Sequence, residues 1–119
     1  MSKRNLLLYI DDIFDSCNKI QKYTDGYTYT KFKKDIKTVD AVIRNLEIIG
    51  EASKMVPLKI RKKYKKVPWR EMIDMRNKVS HEYFGVDCRI LWATIETDIP
   101  DLLQSIIQIK KDVNMQSLF

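Results

Sequence analysis

The chain is poor in the residues that build metal sites, phosphate loops and redox centres. Its 119 residues include one histidine, two cysteines and three glycines. Cys17 and Cys88 lie far apart, neither forms a Cys-x-x-Cys pair, and a lone His81 completes no familiar zinc spacing with them. They read as free thiols of a reducing compartment, and no metal and no cofactor is expected. There is no Gly-rich phosphate loop, no Ser-His-Asp arrangement, no internal repeat and no run with a strand's two-residue period. The apolar run Leu6 to Ile10 is stopped by Asp11 and Asp12. It is too short to cross a membrane and lacks a small-residue cleavage site. The expected location is therefore the cytoplasm, with no membrane partner.

What is present is charge and helical period. The formal net charge is +6 and the isoelectric point about 9.3, a modest bias toward polyanions. The length favours one domain, residues 1–119. Leu6, Tyr9, Ile10, Ile13, Cys17, Ile20 and Tyr23 recur at three- and four-residue steps and predict a helix over Asn5 to Tyr23. A short helix is expected over Tyr29 to Asp35, capped by Thr28 or Thr30. A long one is expected over Thr38 to Met55, with Val39, Val42, Ile43, Leu46, Ile49 and Ser53 inward. Gly50 inside that helix costs about 1 kcal/mol against Ala, which marks the close approach of another helix. Arg44 and Glu47 on its opposite side either brace a site or line a solvated strip. Cys88 to Asp112 predicts a last helix, apolar over a wide arc and kinked or divided at Pro100. Four or five helices with short loops predict an all-α up-and-down bundle.

Between the long helices lies a dense cationic run, Lys59 to Lys66, with Tyr64 interleaved. Such a run is either a solvated turn or a phosphate-steering rim. Its position beside Pro68 to Asp87 favours the rim, with Lys62, Lys63, Lys65, Lys66 and Arg70 as phosphate contacts and Tyr64 free to stack on an unpaired base. The Pro68–Asp87 stretch is the chemical centre of the chain. Pro68 suits a helix start, Gly85 a helix end and Asp87 the cap of the next helix. At 100° per residue, Arg76, Ser80 and Tyr83 fall within roughly 60° of one another. Asn77 and His81 form an i,i+4 pair alongside. A polar arc of Arg, Asn, Ser, His and Tyr suits a phosphate. Arg offers a fixed fork to its oxygens, and His moves protons near neutral pH.

The wording of this stretch resembles the Arg-x4-His-x-Tyr signature of HepT-like toxins, small HEPN-domain ribonucleases. The likeness extends over Asp40 to Ala52, over Pro68-Trp69-Arg70 and over Asp98 to Leu102, so it covers Leu8 to Lys111. The resemblance implies an all-α homodimer whose two signature helices face each other across a basic cleft. It implies metal-independent RNA cleavage with Arg76 and His81 as the catalytic pair and Asn77 as the auxiliary polar residue; Ser80, on the same arc, is a further candidate to assist. It also implies a toxin–antitoxin pairing of type VII kind. There a minimal nucleotidyltransferase antitoxin adenylylates Tyr83 and silences the toxin. The rival reading is a non-catalytic docking or nucleotide-binding subunit of such a nucleotidyltransferase, for which Arg, His and Tyr serve only as phosphate and adenine contacts.

Overall fold

The computed structural model describes residues 1–81 and 87–115, with the side chains of Ser80 and His81 outside that description. Among the described residues there are seven α-helical segments and no strand. They are α1 (Lys3–Tyr23), α2 (Tyr29–Lys34), α3 (Ile36–Met55), α4 (Leu58–Lys63), α5 (Trp69–His81), α6 (Cys88–Ala93) and α7 (Ile99–Asn114). Four are long and form the bundle; α2, α4 and α6 are short connectors within it. This is the all-α architecture that the sequence pattern predicts.

The helix ends follow from local chemistry. The Ser2 hydroxyl accepts from the Asn5 amide at 3.1 Å and starts α1 at Lys3, three residues before its apolar stripe begins at Leu6. Thr28 does the same for α2 and Asp35 for α3, each satisfying an amide of the first turn. Asp35 also accepts from the Thr38 and Tyr27 hydroxyls at 2.7 Å. These bonds hold its carboxyl below the usual range, those from Tyr27 and Thr38 most of all. Asp87 caps α6 through the Arg89 amide at 2.8 Å.

The core is drawn from the predicted stripes, except that Tyr23, at the end of the α1 stripe, is exposed. Leu6, Ile10, Ile13, Cys17 and Ile20 of α1, with Val42, Leu46 and Ile49 of α3, are almost wholly buried. So are Met72 and Val79 of α5 and Ile99, Leu102, Ile106 and Ile109 of α7. Burial alone pushes the Cys17 thiol up to about 12, so it stays protonated and inert. Helix α3 lies at the centre, packed on α1 along one side and on α5 along the other, while α7 packs on α1.

The division of the last helix is finer than a kink. Helix α6 passes into a five-residue π-helical turn, Thr94–Asp98, and α7 follows with Pro100 in its first turn. Pro100 has no N–H and its ring crowds the carbonyl four residues back, so the wider turn just ahead of it relieves both problems. Upstream, Trp92 of α6 rests against Phe32 of α2 with ring centroids 5.3 Å apart. No described helix is long and apolar enough to cross a membrane.

Candidate functional site

The site is built on the contact between α3 and α5. Gly50 is the reason these helices meet so closely. A Cβ placed there would lie 2.0 Å from the Arg76 Cβ and 2.8 Å from the Met72 carbonyl oxygen. The root of the Arg76 side chain therefore lies on the bare backbone of α3. Its guanidinium then runs over the neighbouring residue, and Nη2 forms an ion pair with the Glu51 carboxylate. Nη1 donates to Asn77 Oδ1 at 3.0 Å. The Arg76 side chain is only 29 % exposed, whereas Glu51 is 52 % exposed. The fork is held by its root and by two of its nitrogens, with one flank open to solvent.

Two signature residues, Arg76 and Asn77, are thus joined directly. Their helix ends at His81, five residues and roughly 7.5 Å of axial rise beyond Arg76. The side chains of Ser80 and His81, and Tyr83 and Gly85 entirely, lie outside the described residues. Of the suggested bracing residues on α3, Arg44 is exposed, and the residue that reaches Arg76 is Glu51. Helical periodicity alone places Glu51 on a surface strip. The signal that could have found it is its adjacency to Gly50, the residue that marks a point of close approach. Beside Glu51, a cavity of about 400 Å³ opens between α1 and α3, lined by Tyr9, Asp12, Arg44 and Ile48 among others.

The cationic run lies elsewhere. Lys62, Lys63, Lys65, Lys66 and Arg70 are all exposed, at the α4–α5 junction. Lys66 lies three residues before α5, whose first and last residues, Trp69 and His81, stand roughly 18 Å apart at the helical rise. Arg70 stands roughly 120° around α5 from Arg76 and pairs at 3.9 Å with Asp74 instead. The structure does not gather these cations around Arg76. It sets them at the opposite end of α5 from His81.

The run is nevertheless anchored. Tyr64 does not project as a free stacking platform: its hydroxyl donates to Asp112 Oδ2 of α7 at 2.6 Å. Its carbonyl accepts from the Trp69 indole at 3.1 Å. Burial and this bond to Asp112 raise the phenol's pKa, while the Tyr64 and Gln108 bonds lower that of the Asp112 carboxyl. Arg61 is used internally as well, its Nε donating to the Val56 carbonyl at 2.9 Å and so closing the end of α3. Between residues 62–67 and Gln104, Ser105 and Gln108 of α7 lies a cavity of about 500 Å³.

Comparison with known proteins bears on this geometry. The family model described as "Ribonuclease HepT-like" matches residues 13–109. A protein of Thermococcus cleftensis named "Probable ribonuclease HepT" is 44% identical over 109 residues, covering 92% of this chain and 99% of that one. A protein of Caldanaerobacter subterraneus named as a "Putative RNase" is 43% identical over 101 residues, covering 85% and 90%. Another of that description, from Methanocaldococcus jannaschii, is 38% identical over 113 residues, covering 95% and 93%. No solved structure matches significantly. With its model spanning most of the sequence and these relatives aligned nearly end to end, the chain belongs to the HepT-like ribonuclease family.

Proposed function

We propose that this protein is a HEPN-type endoribonuclease toxin that cleaves RNA through Arg76 and His81, as a homodimer with a basic cleft. Family membership supports the ribonuclease class. The observation that carries the site is Arg76 itself. It is a half-buried arginine whose fork is braced by Glu51 and Asn77, on the helix that ends at His81. A braced fork of this kind suits the charge that builds on phosphate oxygens during transfer.

In the proposed reaction the ribose 2′-oxygen attacks the adjacent phosphorus and the bond to the 5′-oxygen breaks. One proton leaves the 2′-OH and one is delivered to the departing 5′-oxygen. The products are a 2′,3′-cyclic phosphate and a 5′-OH. His81 performs one of these transfers, and the partner copy's His81 the other. Arg76 stabilises the phosphorane-like centre, Asn77 holds the phosphate or the attacking hydroxyl, and Ser80 assists. DNA resists, because it has no 2′-OH. The lysines guide RNA toward the helix from its far end. Adenylylation of Tyr83 by a nucleotidyltransferase antitoxin would place bulk and negative charge in the arc and silence the enzyme.

The test is cleavage of cellular RNA by unmodified protein in EDTA, beside Arg76→Ala and His81→Ala. Cyclic-phosphate ends should appear with the wild type and fall by about 10²-fold or more in each variant. Absence of cleavage by protein of unmodified mass would transfer the reading to the docking subunit.

A further inference from the structure

We propose that Glu51 is the positioning residue for Arg76, and that it acts on turnover through the guanidinium instead of on folding or on RNA affinity. The inference rests on the ribonuclease reading for its kinetic consequence, and on the α3–α5 geometry alone for its structural one. An arginine carries a long, flexible stem, and holding its fork in one place costs rotamer freedom. Three features of this seam meet that cost. Gly50 lets the Arg76 Cβ rest on the α3 backbone. Glu51, the next residue, forms the ion pair with Nη2. Asn77 receives Nη1. A guanidinium has five N–H donors, and these two contacts use one on each terminal nitrogen. The remaining donors are left for a phosphate, with the fork's plane already fixed.

The pair is poorly suited to a stabilising role. Glu51 is 52 % exposed, and exposed ion pairs contribute little to stability. It is also poorly suited to attracting RNA, since a carboxylate beside the phosphate site repels the substrate. What remains is geometry: a carboxylate behind the guanidinium and a phosphate in front of it, sharing one planar fork. Reaction rates are sensitive to such placement, and a shift of about 1 Å can cost about 10²-fold.

The experiment compares Glu51→Ala and Glu51→Gln with the wild type on a short ribo-oligonucleotide. Thermal melts of all three proteins run in parallel, and the 15N relaxation of the Arg76 Nε–H is measured without RNA. Glu51→Ala should lose about 10²-fold in kcat with KM unchanged or lower, because the repelling carboxylate is gone. Glu51→Gln keeps an acceptor on the fork and should recover most of kcat. Melting temperatures should differ by no more than a few degrees. The Arg76 Nε–H should become more mobile in Glu51→Ala and stay ordered in Glu51→Gln. Wild-type kcat in Glu51→Ala, or an equally ordered Arg76 in all three proteins, overturns the inference. A gain in kcat/KM in both variants also overturns it, because Glu51 would then only repel RNA. If the wild type cleaves nothing, the ribonuclease reading fails, and the relaxation data alone decide whether Glu51 positions Arg76.

Discussion

Two cationic regions lie on this molecule, and they are held in opposite ways. At the α3–α5 seam a single arginine is half-buried, rooted on Gly50 and paired with Glu51 and Asn77. At the α4–α5 junction four lysines stand exposed on a segment whose backbone is fixed by Arg61, Tyr64 and Trp69. The first region fixes the charge itself. The second fixes the scaffold and leaves the lysine side chains exposed. Transition-state stabilisation needs a charge of the first kind, because preorganised groups do not have to rearrange as the reaction proceeds. Attraction of a polyanion needs only the second, because counterion release depends on number and nearness more than on orientation.

The sharpest way to break this contrast is Gly50→Ala. Inside an ordinary helix the change stabilises by about 1 kcal/mol. Here the new methyl meets the Arg76 Cβ and the Met72 carbonyl, neither of them the far end of a flexible side chain. The helices must separate, and overpacking of this kind typically costs about 1–3 kcal/mol. We expect a lower melting temperature together with loss of cleavage, since the shift displaces Arg76 directly. A variant that melts higher than the wild type would show that the seam is looser than described.

The contrast is sharpened at the other region by replacing Lys62, Lys63, Lys65 and Lys66 with Gln. These side chains are exposed, so folding should be unaffected. RNA affinity should fall, and the slope of log K against log salt should flatten by roughly 0.7 for each phosphate that is no longer neutralised. KM should rise far more than kcat falls. Equal affinity and an unchanged salt slope would exclude this segment from the RNA path.

Legibility in the sequence follows the same division. The apolar stripes of α1, α3 and α7, the caps at Thr28 and Asp87, and the break at Pro100 are readable, because each depends on neighbours a few residues away. Gly50 is readable as a close approach, because a glycine inside an amphipathic helix needs a reason. Its partner is not, because identifying Arg76 requires the register of α5 against α3, which no local pattern encodes. Glu51 is hidden for that reason: on its own helix it faces outward among Asp40, Arg44 and Glu47. Asp35 escapes notice as the cap of α3 because the apolar period begins only at Val39. Tyr64 reads wrongly as a free ring because its anchor, Asp112, lies 48 residues away. The π-helical turn before Pro100 is also invisible, since the sequence marks the proline and not the way the chain accommodates it.

The smallest expected effect concerns that anchor. Tyr64→Phe deletes the hydroxyl that ties the cationic segment to Asp112 while keeping the ring. The Asp112 carboxyl is held below its ordinary value first by Tyr64 and then by Gln108. A depressed carboxyl contributes stability that is complete above the unfolded value, about 3.9, and is lost as the pH falls through the folded one. The variant should therefore melt a few degrees below the wild type at pH 7. The gap should narrow as the pH is taken below the ordinary carboxylate range, where Asp112 is protonated in both proteins. Cleavage at saturating RNA should change less than in any variant of Arg76, because Tyr64 orders the scaffold of the lysines and does not touch the fork. A gap that persists unchanged at acid pH would assign the stabilisation to packing of the ring against α7 and not to the hydrogen bond.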